Sequence, residues 1–279
     1  MGFRTAFIAA IITFCGVAAL PVASGGAAIY FQKAAPSPGA LPSVPADFSL
    51  PEAMKALYGN YDAAKKTSSF RSTKKFDGTF FDKPGKVEAR AFLTAGAMDA
   101  GAMKVFVLTS AVPHGSPEFD CHACAPLIGA AVFAKKDSAW AVESSNKALD
   151  VIGGWGGPPQ AEMVRVGPDR AAFELKPGST FQGETVASVM ILLPWKGGIR
   201  QAFNAETESS EPSDCGDGMG ECRDKKAEIS FARGANPDFD DIVLSISATE
   251  TSAKTGKDVG VERVQKWKFS DGKYVRAAH

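Results

Sequence analysis

Gln265-Lys266-Trp267-Lys268-Phe269-Ser270-Asp271-Gly272-Lys273-Tyr274-Val275 is the stretch that decides the fold class. Gln265, Trp267 and Phe269 alternate with Lys266, Lys268 and Ser270, so an extended chain puts its large side chains on one face and its charges on the other. Asp271-Gly272 supplies the positive φ angles of a tight turn, and Tyr274-Val275 resumes the strand, so the stretch reads as a β-hairpin.

The same period recurs upstream. Ala171, Phe173 and Leu175 share one face, as do Ile242, Leu244 and Ile246, and Gly167-Pro168-Asp169 separates residues 163–166 from 171–175. Residues 105–108 and 189–193 are apolar on both faces, which suits strands covered on each side. About ten short strands at this spacing predict a mainly β chain, an antiparallel meander arranged as a sandwich, a barrel or propeller-like sheets. The lack of a clean internal repeat weighs against the propeller.

One N-terminal amphipathic helix precedes the strands. Ser49-Leu50-Pro51-Glu52 has the capping-box arrangement, and Met54, Leu57, Tyr58 and Tyr61 recur at i, i+3, i+4 and i+7. The pattern predicts a helix running to about Lys66, weakened at Gly59 by about 1 kcal/mol relative to alanine.

The first charged residue is Arg4 and the next is Lys33, with an apolar run over residues 6–20 between them. Pro21 breaks that run, and Val22-Ala23-Ser24 offers the small residues a signal peptidase reads. Residues 1–24 are expected to be a signal peptide; the alternative is an uncleaved anchor, since about 20 uncharged residues can span a bilayer. The Pro- and Ala-rich residues 25–48 are expected to form a tether, and 49–279 a single β-rich domain. The chain is therefore expected to be periplasmic or secreted in a bacterial-type envelope, and membrane-bound only through the N-terminal segment if that is not cleaved.

Removing residues 1–24 takes away one cation and leaves 30 basic against 31 acidic residues, a net charge near −1. Without a basic cluster there is no electrostatic footprint for nucleic acid. The expected partner is an envelope protein or a small ligand; no cofactor is expected.

Of five cysteines, Cys15 leaves with the signal, and Cys121, Cys124, Cys215 and Cys222 remain. An even count in an exported chain reads first as disulfides, with three connectivities open. A crossed pairing between the two regions would close a loop of roughly 90 residues and stabilise by about 4 to 5 kcal/mol in the chain-entropy model.

The densest chemistry lies in Pro113-His114-Gly115-Ser116-Pro117-Glu118-Phe119-Asp120-Cys121-His122-Ala123-Cys124-Ala125-Pro126. Its leading reading is a structural disulfide. A thiol–disulfide redox pair at Cys121 and Cys124 is the second; it requires residues 126–133 to form a helix whose N-terminus lowers a thiol pKa. A metal site using His114, Cys121, His122 and Cys124 ranks third, because adjacent Cys121 and His122 point to opposite sides of an extended chain. The acidic, Gly-rich loop of residues 211–224 lacks the ligand spacing of an EF-hand and reads as a solvated loop pinned by its cysteines.

Gly153-Gly154-Trp155-Gly156-Gly157-Pro158-Pro159 places a large aromatic on a glycine loop. The ordinary expectation is a tryptophan folded back onto a sheet end. The alternative is an exposed stacking platform for a sugar ring or peptide, with Trp155, His114 and His122 as the candidate ligand-binding residues. Motifs for an esterase elbow, a zinc protease helix or a phosphate loop are absent, so the sequence leans away from an enzyme and towards a non-catalytic binding domain.

Overall fold

Three of the adjacent residue pairs with positive φ close hairpins between long strands: Ala100-Gly101 (52° and 76°), Lys196-Gly197 (51° and 79°) and Asp271-Gly272 (43° and 81°). Each joins two antiparallel strands through a two-residue connection, the geometry that matches strand twist. The structure, a computed structural model, describes residues 43–116, 119–181, 184–210, 213–214, 221–251, 255 and 257–277, with backbone only at 181, 213–214 and 221–223. The expected signal segment and most of the expected tether lie outside the described residues.

Strands β1 (Ser68–Ser72), β2 (Gly85–Asp99), β3 (Ala102–Pro113), β4 (Leu127–Lys136) and β5 (Ala139–Val151) form an antiparallel sheet in chain order. A second sheet begins with β6 (Gln160–Gly167) and β7 (Arg170–Lys176), passes a short β8 (Gly178–Phe181), and continues with β9 (Glu184–Trp195) and β10 (Gly198–Ser209). After a two-residue β11 (Ser213–Asp214) come β12 (Glu221–Ala232), β13 (Asp241–Thr251), β14 (Asp258–Ser270) and β15 (Lys273–Arg276). Its order is β6-β7-β9-β10-β12-β13-β14-β15, with β8 paired to β9 and β11 to β12, and it curls into a half-barrel. The antiparallel meander read from the sequence is thus the fold. The strands are more numerous and longer than expected, β2 reaching 15 residues, because Ala100-Gly101 and Lys196-Gly197 reverse the chain without the Asn or Asp that marks such turns.

Central strands are covered on both faces, as their apolar runs require. Phe106, Leu108 and Ile128 of the first sheet pack on Phe173, Leu175 and Leu192 of the second, with Phe106 and Phe173 edge to face at 5.4 Å. The opposite face of the first sheet, through Val105, Val107 and Phe133, packs on Met54, Leu57 and Tyr58 of the helix. The remaining face of the second sheet closes on itself across the curl, joining Val166, Ile191 and Leu193 to Ile242, Phe269 and Tyr274. Each such side chain, fully buried, contributes about 1.5–3 kcal/mol.

Helix α1 spans Leu50–Tyr58, shorter than the predicted run to about Lys66. Gly59 does not weaken the helix from within; it adopts φ 85°, and its N–H bonds the Lys55 carbonyl, ending the helix by the left-handed cap that glycine favours. Ser49 caps the other end by accepting from the Glu52 N–H. The folded body also begins earlier than residue 49: Val44 and Phe48 pack against the helix-side core, Phe48 edge-on to Phe133 and Trp140 at 5.6 and 5.5 Å. Phe48 directly follows the small, Pro-rich residues 34–47 whose composition suggests a tether. Among the described residues no helix is long and apolar enough to cross a membrane.

The last turn of α1 buries Tyr58, whose hydroxyl shares a 2.7 Å hydrogen bond with Thr109 Oγ1. Burial pushes the phenol up to about 12, with the Thr109 hydroxyl pulling it partly back. The folded chain therefore holds this proton more tightly than the unfolded chain, whose phenols titrate near 10. Its stabilising contribution is intact below about pH 10 and is lost as pH rises towards about 12, a loss of up to about 3 kcal/mol. Urea unfolding across that window should show the fall, and Tyr58→Phe should make it shallower; identical slopes would rule the Tyr58 phenol out as its source.

Candidate functional site

The crossover from the first sheet to the second, between β5 and β6, carries the glycine loop. Gly154 and Gly157 exchange two backbone hydrogen bonds, of 3.2 and 2.9 Å, so Trp155 and Gly156 occupy the tip of a two-residue reversal with φ 53° and 70°. For a bulky residue this left-handed conformation is an outlier, costing on the order of 1–2 kcal/mol. Trp155 is 68% exposed. The expectation that it folds back onto a sheet end is therefore corrected: the turn conformation throws the indole outward.

The cysteine loop holds the tryptophan turn in place. Cys121 and Cys124 are joined by a disulfide with Cα atoms 4.9 Å apart, and Cys124 N–H bonds the Cys121 carbonyl at 2.9 Å. The Cys124 carbonyl accepts from Gly156 N–H at 2.7 Å, and the Pro126 carbonyl from Ile152 N–H at 3.1 Å. Gly156 passes so close to Phe119 that a Cβ would sit 1.8 Å from its carbonyl oxygen. His122 stands edge-to-face against Trp155, ring centroids 5.3 Å apart at 89°. Phe119 in turn packs on the exposed Phe80 at 5.2 Å and on the buried Phe81 at 6.3 Å.

The result is an aromatic surface at one end of the first sheet, Trp155 with His122 and Phe80 with Phe119, fixed from below by a disulfide and two glycine contacts. Neither Phe80 nor Phe119 stands out in the sequence. The only local signal is the Phe80-Phe81 pair in a turn-rich segment, one ring of which is buried and the other not.

His114 lies elsewhere in the network. It bonds Glu88 Oε1 through Nδ1 at 2.7 Å, faces Lys86 Nζ at 3.5 Å through Nε2, and caps the β2–β3 edge. With Cys121 and Cys124 bonded to each other, His114 on Glu88 and His122 on Trp155, the four metal candidates are dispersed; no cluster of His, Cys, Asp or Glu among the described residues is arranged to hold a metal ion. The Cys121–Cys124 bond removes the crossed connectivity. Cys215 lies outside the described residues, and Cys222 is described only as backbone in β12.

The redox reading required a helix after Cys124. Residues 127–136 are instead the strand β4, buried on both faces over residues 127–133, a setting that favours the sheet. No helix dipole therefore bears on either sulfur from that side.

Comparison with protein-family models, with curated proteins and with solved structures returned no match.

Proposed function

We propose that the chain is an exported, non-catalytic binding protein whose ligand or partner stacks on Trp155. The observation that carries this reading is a tryptophan 68% exposed at φ 53° and braced by a disulfide-bonded loop. Folding alone gains little from that arrangement, since the conformation is strained and the indole buries little area, whereas an exposed ring on a fixed loop suits a sugar ring or an apolar peptide side chain. The disulfide supports an oxidising compartment, and so agrees with the N-terminal signal read from the sequence.

Retention of the purified chain on a panel of immobilised oligosaccharides and peptides tests the proposal. Trp155→Gly should weaken retention by about tenfold or more, while leaving folding stability unchanged or raising it by up to about 1 kcal/mol, because glycine accepts the turn conformation. Retention on no member of the panel, or equal retention by Trp155→Gly, would defeat it. The competing redox role of Cys121 and Cys124 has one favourable feature, the exposure of Cys121 beside a buried Cys124, but lacks the helix that would activate a thiol.

A further inference from the structure

The strand β1 pairs with β2 only as far as Ala89. At Arg90 the edge of β2 is released, and the chain leaving α1 crosses over it, through Tyr61 and a tight reversal closed by the Asp62–Thr67 bridge. A cavity of about 290 Å³ opens there, with Leu50, Met54, Tyr61 and Ala91 as its apolar wall and Lys65, Lys66 and Arg90 at its rim. Met54 is buried to 1% exposure, so the wall belongs to the core, while the three cations are exposed.

Among the described residues none of the three cations has an ion-pair partner. The ion pairs among the described residues involve other lysines, arginines and His114. The acid of this segment, Asp62, is exposed but engaged locally, its Oδ1 accepting the backbone N–H groups of Ala64 and Lys65 at 3.0 Å each. Three positive charges, set against the single carboxylate of Asp62, leave a net positive field at the low-dielectric wall of the cavity. In a chain whose basic and acidic residues are equal in number, such a local excess is a departure from the average surface.

We infer that this cavity binds an anionic amphiphile, a carboxylate or phosphate group on a short apolar body, at a site separate from Trp155. Arg90 presents the planar donor fork that pairs with two oxygens of such a head group, and the lysines add point charges to it. The apolar body lies on Leu50, Met54 and Tyr61. At about 290 Å³ the space falls just below the usual range of ligand cavities, roughly 300 to 1,000 Å³, and so suits a small ligand. The same chemistry occurs in a free amphiphile and in the head group of an anionic lipid.

Calorimetric titration of the full chain with decyl phosphate, kept below its micellar range, should give saturable binding. Hydrogen bonds to a charged partner are the strong class, so the combined variant Lys65→Gln, Lys66→Gln, Arg90→Gln should bind at least about tenfold more weakly. Trp155→Gly should bind as the unaltered chain does. Decanol and inorganic phosphate should each bind more weakly than decyl phosphate. Vesicles containing phosphatidylglycerol identify the source: a difference between the chain and the triple variant there assigns the site to lipid, and a difference with soluble decyl phosphate alone assigns it to a free amphiphile. The inference is overturned by no saturable binding in either format, by equal binding in the triple variant, or by decanol or inorganic phosphate matching decyl phosphate.

Discussion

Replacing Asp99 with alanine is expected to remove about 3–5 kcal/mol of folding stability, the largest single effect anticipated for this chain. Asp99 ends β2, at 2% exposure. Its Oδ2 lies 2.8 Å from Lys104 Nζ, across the Ala100-Gly101 turn, and its Oδ1 accepts the Ala171 N–H of β7 at 3.2 Å. One carboxylate therefore neutralises a buried lysine and joins the two sheets. Burial pulls the Lys104 pKa down, but Asp99 and Glu143 outweigh it and hold the ammonium above its ordinary value. In Asp99→Ala only Glu143, 2.8 Å away and with 42% of its side chain exposed, still faces that charge, and the Ala171 N–H loses its acceptor.

A domain is stable by only about 5–15 kcal/mol, so a loss of this size should be plain in the midpoint of urea unfolding. Asp99→Asn keeps an acceptor for Ala171 and should lose less. Removing Lys104 as well should restore part of the loss, as for any coupled pair. A decrease below about 1 kcal/mol in Asp99→Ala would show that the ion pair contributes little beyond its own desolvation.

Gly156→Ala is expected to cost about 3 kcal/mol, the sum of a left-handed alanine and an overpacked contact. The added Cβ would meet the Phe119 carbonyl oxygen at 1.8 Å and the φ is 70°, so the turn must move away from the cysteine loop and break the Gly156 N–H bond to Cys124. Gly197 provides the comparison. Its φ is 79° and nothing lies within 4 Å of an added Cβ, so Gly197→Ala isolates the conformational part, about 1 kcal/mol. The difference between the two variants, about 2 kcal/mol, measures the close approach itself. Equal losses would mean that the two loops do not meet as described. Gly156→Ala should also lose whatever retention Trp155 confers, because the indole no longer sits over His122.

Much of this architecture is legible in local pattern. Alternation in residues 265–269 and 242–246 selects strands, and the two-sided apolar runs at 105–108 and 189–193 are buried strands because their faces serve two different cores. Asp271-Gly272 announces its hairpin. Ala100-Gly101 and Lys196-Gly197 do not, since neither alanine nor lysine favours a left-handed conformation and only the flanking strands impose it. Gly59 was visible as a weak helical residue, but whether glycine sits within a helix or ends it depends on whether the next turn has a core to pack against.

The candidate site divides in the same way. Cys121, His122, Cys124 and Trp155 are each conspicuous by residue type, yet the sequence left three disulfide connectivities open and favoured a buried tryptophan. Lys65, Lys66 and Arg90 carry no sequence signal at all, being two ordinary turn lysines and one strand arginine some 25 positions apart.

By itself, the sequence determined that the described residues form an antiparallel β meander preceded by a capped helix, because side-chain period and turn chemistry act over a few residues. Only the tertiary structure decided where the helix stops, which way Trp155 faces and which charges gather, because those depend on contacts between segments that the chain order keeps apart.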